Sequence, residues 1–153
     1  MTVGACPGRS LSTYNTRMPD WLTTCLLLAA GGSIGTIARF WLGTLVAQIQ
    51  RSRWPDLEYP WGTFLINVSG SMLLGVLAAS FLGHPDPSRR NWYLLLGAGF
   101  CGGFTTFSTF SLESFELIRD GKPWAALAYA LGSVIAGVIG VWIAMRLMKP
   151  LEG

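Results

Sequence analysis

Leu94-Leu95-Leu96-Gly97-Ala98-Gly99-Phe100-Cys101-Gly102-Gly103-Phe104-Thr105-Thr106-Phe107-Ser108-Thr109-Phe110-Ser111 reads as two halves. The first is apolar and small. The second sets two adjacent glycines before five hydroxyls in seven residues. A glycine costs roughly 1 kcal/mol against alanine in a helix and threonine is stiff at its first torsion, so an unwound turn is expected near Gly102 to Thr106. The stretch lies inside 22 residues, between Arg90 and Glu113, without Asp, Glu, Lys or Arg. Irregular backbone at membrane depth is tolerated only when buried in protein or lining a wet cavity. There its freed carbonyls can hold a small hard cation, and the start of the following half-helix favours an anion.

Three more windows of this kind flank it: 18 residues between Asp20 and Arg39, 27 between Glu58 and Asp86, and 23 between Lys122 and Arg146. A helix needs roughly 20 apolar residues to cross about 30 Å of hydrocarbon. Each window reaches or nearly reaches that length. The chain of 153 residues is 51% hydrophobic and 12% charged, which argues against a water-soluble monomer. The expected fold is an all-α integral membrane protein of four spans, about 21–46, 60–82, 91–118 and 124–148. A flexible tail over 1–19 and a short one over 149–153 bracket the 20–148 body. Residues 1–19 are too polar to order themselves. Arg9 and Arg17 ahead of an apolar run imitate a secretory signal, but Gly31-Gly32-Ser33 leads on into apolar sequence, so a retained first span is expected. Met18 is an alternative start that leaves the membrane body intact.

Loops this short leave no room for a nucleotide-binding or catalytic domain, so neither enzymatic chemistry nor work driven by ATP is expected. The net charge of +3 is scattered over loops and tails, which favours lipid headgroups over nucleic acid as its partner. Cys6, Cys25 and Cys101 do not make a disulfide framework; Cys25 and Cys101 read as core filling. Trp61 and the pair Trp92-Tyr93 sit where an aromatic belt belongs. With four spans, one side carries the six basic residues Arg9, Arg17, Arg89, Arg90, Arg146 and Lys149, and the other the five residues Arg39, Arg51, Arg53, Arg119 and Lys122. Orientation follows the Lys/Arg bias, and here there is almost none. Two readings follow: insertion both ways, with oppositely oriented copies pairing about an axis in the membrane plane, or one orientation set by other cues.

The polar candidates are few. Asn67 lies well inside the second span, where an amide must find a partner, either an anion or a neighbouring helix. Phe107 and Phe110 share a helical face, with Ser108 and Ser111 beside it. Phenyl rings have a positive edge that an anion can approach where no Lys or Arg is at hand; ordinary packing is the other explanation. The remaining glycines, Gly31, Gly32, Gly35, Gly70, Gly75, Gly132, Gly137 and Gly140, read mostly as close helix packing. Arg39 sits near the far end of the first span and can reach the interface with its long stem.

The run Gly102-Gly103-Phe104-Thr105-Thr106-Phe107-Ser108-Thr109-Phe110-Ser111 resembles the signature of the CrcB/Fluc fluoride channels. The resemblance extends to Gly62-Thr63-Phe64-Leu65-Ile66-Asn67-Val68-Ser69-Gly70, to Gly31-Gly32 with Arg39, and over about residues 22 to 147. It implies an antiparallel, dual-topology homodimer in the cell (inner) membrane, with two fluoride pathways and a structural sodium ion, Na+, at the centre. Carried over by position, Asn67 is the pore asparagine and Phe107 and Phe110 are the rings facing fluoride. The backbone carbonyls of Gly102 and Thr105 hold sodium. Ser108, Thr109 and Ser111 are candidate hydroxyls of the pathway, Tyr129 and Ser133 continue a polar track in the last span, and Glu113 resembles an acid near a pore mouth. The implied function is passive export of fluoride, down roughly 2.3 kcal/mol per 100 mV in a cell negative inside. The competing reading is a small four-span proton-coupled multidrug exporter; such exporters carry a Glu in the first span, and Trp21 to Ala38 contains no acid. A structural or assembly subunit is a third class, and it leaves Asn67 and the hydroxyl run unexplained.

Overall fold

The computed structural model describes residues 21–55, 59–82 and 86–148. The tails expected over 1–19 and 149–153, and Cys6, lie outside the described residues. Four helical stretches are long and apolar enough to cross a membrane: Trp21–Arg53, Trp61–Phe81, Ser88–Arg119 and Pro123–Met148.

Helix α1 (Trp21–Arg53) runs past Val46, where the apolar run weakens. Gln48, Gln50 and Arg51 end the hydrocarbon-compatible stretch but are good helix formers, so the helix continues until Pro55 forbids it. Arg51 and Arg53 stand in its last turn, where the macrodipole favours cations. Helix α2 (Trp61–Phe81) starts after Pro60 and ends where Leu82 turns extended. Arg89 Nη1 donates to Ser80 O at 3.0 Å, satisfying one carbonyl of that helix end. Asp86 caps α3 (Pro87–Trp92) by accepting from Ser88 N at 2.9 Å.

The third stretch then departs from regular geometry twice. Tyr93–Cys101 winds as a π-helix. A short α4 (Gly102–Phe104) follows, then two extended residues, Thr105 (φ −78°, ψ 158°) and Thr106 (φ −149°, ψ 118°), before α5 (Phe107–Arg119). The two glycines are helical, and the extended residues are the threonines after them. Gly121, at φ +74°, reverses the chain after α5, and Pro123 opens α6 (Pro123–Met148).

Glycines set the helix contacts. A side chain at Gly31 or Gly35 would run into the carbonyls of Leu95 or Phe100, and one at Gly103 into Gly32 O, so α1 lies directly on the backbone of the third stretch. Gly75 receives Ala144 and Val141 of α6, and Gly140 receives Met72 of α2. Gly132 faces open space, unlike the packing glycines with which its sequence pattern groups it. Cys101 is buried, whereas Cys25 is exposed: position 25 falls on the outer face of α1, which a helix in lipid has no reason to bury. Large apolar side chains such as Ile34, Trp41, Leu131 and Val138 also point outward, the pattern of a body meant for hydrocarbon or for a second copy.

Candidate functional site

The extended pair Thr105–Thr106 is the centre of the polar interior. An α-helix satisfies its own backbone; two extended residues do not, and in hydrocarbon their polar groups need side-chain partners. Asn67 of α2 provides both partners for Thr106: Oδ1 accepts from Thr106 N at 2.8 Å and Nδ2 donates to Thr106 O at 3.1 Å. Two α1 side chains reach neighbouring carbonyls, Arg39 Nη1 to Thr105 O at 3.3 Å and Thr36 Oγ1 to Gly103 O at 3.4 Å. The Thr105 hydroxyl turns back to Cys101 O at 2.9 Å, and its methyl sits over Gly70, which has no room for a side chain.

Thr106 also caps α5. Its Oγ1 accepts from Thr109 N at 3.2 Å, donates to Thr109 Oγ1 at 3.1 Å and lies 3.2 Å from Ser108 Oγ. Ser108, Thr109 and Ser111 are exposed in the single chain, and the Ser111 hydroxyl is bound to Phe107 O at 2.9 Å. Phe107 and Phe110 have ring centroids 5.7 Å apart. Phe107 is 79% exposed, whereas Phe110 packs on Tyr129 with centroids 5.0 Å apart.

A groove of about 460 Å³ gathers Asn67, Gly102, Thr105, Phe107, Phe110 and Ser133. Ser133 Oγ is buried and has no hydrogen-bond partner among the described residues. On the other side of Thr106 lies a cavity of about 400 Å³ that includes Arg39, Gln50, Thr63, Thr109 and Glu113. Thr106 lines both spaces. The Asn67–Thr106 clamp therefore stands between an aromatic groove and a more polar cavity.

Glu113 and Tyr129 meet each other, on different helices. Tyr129 is fully buried, and its hydroxyl donates to Glu113 Oε2 at 2.7 Å; Thr63 of α2 donates to Oε1 at 2.8 Å. This triad ties α2, α5 and α6 together. Among the described residues no group of three or more His, Cys, Asp or Glu side chains could bind a metal. Thr106, Thr63 and Thr36 were not singled out by sequence reasoning. Their signal was present for Thr106 alone, which stands one residue before the start of α5 where a capping hydroxyl belongs.

Residues 26–145 match the family described as CrcB-like protein, Camphor Resistance (CrcB). A protein of Novosphingobium aromaticivorans named fluoride-specific ion channel FluC is 44% identical over 128 residues, covering 84% of this chain and 98% of its own length. One of the same name from Nitrobacter winogradskyi is 43% identical over 119 residues, 76% of this chain and 87% of that one. A third, from Caulobacter sp. strain K31, is 37% identical over 128 residues, 84% and 96% of the two chains.

Proposed function

The chain belongs to the CrcB family, and from that premise we propose that it is a passive, fluoride-selective channel that lowers cytoplasmic fluoride. It is a multi-pass membrane protein and a channel rather than an enzyme. The observation that carries the reading is the aromatic groove at the extended pair, where an amide, two phenyl rings and a hydroxyl without a partner among the described residues line one space that no described cationic side chain enters. Fluoride is small and strongly hydrated. A path for it must replace water with donors at nearly equal cost, and a narrow one excludes larger halides by fit and ligand field.

In this reading Asn67, Phe107, Phe110 and Ser133 line the pathway, and Ser108, Thr109 and Ser111 supply further hydroxyls along α5. Tyr129 and Glu113 stand at its end, with Arg39 beside the bend. The third span works as two half-helices, and two oppositely oriented copies pair so that the exposed Phe107 ring is covered. The near-even distribution of Lys and Arg supports that pairing. Sodium fits the residues present. Gly102 is exposed with open space at its α-carbon, and the Thr106 amide that would close on its carbonyl in a regular helix is bound to Asn67 instead. Among the described residues the Thr105 carbonyl accepts a long contact from Arg39, at 3.3 Å. Neutral carbonyl oxygens suit a hard monovalent cation, and two per copy give the dimer four. When bound, sodium contributes a fixed positive charge between the copies.

The exporter reading finds no support in the relatives' names, and α1 contains no Asp or Glu along its whole length. Purified protein in liposomes should release fluoride down its gradient and retain chloride. Comparable chloride release would remove the selectivity, and cross-linking that captures only like-oriented pairs would remove the antiparallel dimer.

A further inference from the structure

The side chain of Asn67 faces both polar atoms of a single residue. Oδ1 accepts from Thr106 N at 2.8 Å and Nδ2 donates to Thr106 O at 3.1 Å, the pairing that one strand offers another. Extended backbone, φ −149° and ψ 118° at Thr106, is the shape that accepts it. The bonding changes abruptly along the chain. Thr105 N still bonds to Cys101 O at 2.9 Å, as in any α-helix. The next amide, Thr106 N, would close on Gly102 O if the helix continued, and it is turned to α2 instead. Gly102 is therefore the first carbonyl whose regular donor is taken away, by a side chain 35 positions earlier in the sequence.

The amide arithmetic limits what else Asn67 does. A primary amide has two N–H groups and one acceptor oxygen. Oδ1 and one N–H are engaged by Thr106, so a single N–H is left for the groove.

We infer that Asn67 is a positioning residue. It holds the Thr106 peptide out of the helix and so keeps the Gly102 carbonyl free to bind a cation. The cation clause rests on the proposed sodium site; the backbone clause stands without it. Leucine keeps the branched shape of asparagine, is bulkier, and has no polar atoms. With Asn67→Leu, Thr106 loses both partners inside the membrane body, and the nearest repair is to continue the helix, with Thr106 N closing on Gly102 O. That repair straightens the bend and occupies the carbonyl together. Asn67→Asp keeps an acceptor for Thr106 N and loses only the donor, so the Gly102 carbonyl stays free. Arg39 reaches Thr105 O and not Thr106, so Arg39→Gln leaves the Thr106 clamp in place.

The test uses the full chain in detergent and in liposomes, as wild type, Asn67→Leu and Asn67→Asp. Two readouts are taken: the thermal midpoint against sodium, with N-methylglucamine as the replacement cation, and the ¹³C shifts of Thr106 Cα and Cβ, which separate extended from helical backbone. The Leu variant should show helical shifts at Thr106 and need about tenfold more sodium for half its stabilisation, equivalent to about 1.4 kcal/mol. The Asp variant should keep extended shifts and bind sodium no more weakly than wild type. Extended shifts in the Leu variant, or an unchanged sodium response there, overturn the inference while leaving the channel reading intact. Wild type without any sodium response removes the sodium site instead, and the shifts alone then decide the role of Asn67. If the Leu variant is not recovered folded, Asn67→Ala is read by the same two measurements.

Discussion

The two halves of the third span are held by opposite means. Tyr93–Cys101 offers α1 no polar side chain engaged in bonding; Gly31 and Gly35 let α1 settle directly on its carbonyls. Past Phe104 the backbone leaves the helix, where Asn67 and Arg39 reach in from α2 and α1 to bind it, and Thr36 of α1 reaches Gly103 O just before. Small residues suffice where the chain satisfies its own hydrogen bonds. Where it does not, freed backbone groups need partners from outside the helix, and each side chain that serves is also a polar group at membrane depth. The apolar half is scaffold, and the braced half offers chemistry.

Substitutions on each side should separate the two regimes. Gly35→Val drives a branched side chain into the backbone at Phe100 and Phe104, where nothing flexible can yield, and should cost more than about 3 kcal/mol. Loss of monodisperse protein is the expected result, and normal recovery would mean that the α1 contact is looser than described. Tyr129→Phe leaves one Glu113 carboxyl oxygen without its buried donor and should lower stability by about 1 to 3 kcal/mol in chemical unfolding. A double cycle with Thr63→Val should show coupling, because both donors serve the same carboxyl. Arg39→Gln removes a long contact to Thr105 O and should cost about 1 kcal/mol, less than either change above. Gly132→Ala should be neutral or stabilising by up to about 1 kcal/mol, since that position faces open space on a helix. A clear loss there would reveal a second copy against that face of α6.

Much of the fold was legible because charge is costly in hydrocarbon: four uncharged windows fall on the four long apolar helices. Helix ends were less so. Arg51 and Arg53 mark where α1 leaves the apolar layer, yet they extend the helix, since the end of a span and the end of a helix are different physical events. The π-helical winding of Tyr93–Cys101 had no signal, for Leu, Ala and Gly serve either geometry. The glycine pair drew attention to the right neighbourhood, but the residues that turn extended are the threonines. Their partners are Asn67, 39 positions away from Thr106, and Arg39, 66 positions away from Thr105, and no local pattern encodes pairs so distant. The same distance hid the triad: Thr63, Glu113 and Tyr129 stand on three helices, and only packing brings them together.

The central claim is that the ion passes beside the braced half and not the scaffold half. Fluoride efflux from liposomes, measured for a Phe107→Ile/Phe110→Ile pair and for a Leu94→Ile/Leu96→Ile pair, tests it most directly. The account predicts that the first pair abolishes efflux and that the second retains it. Wild-type efflux from the first pair would contradict it.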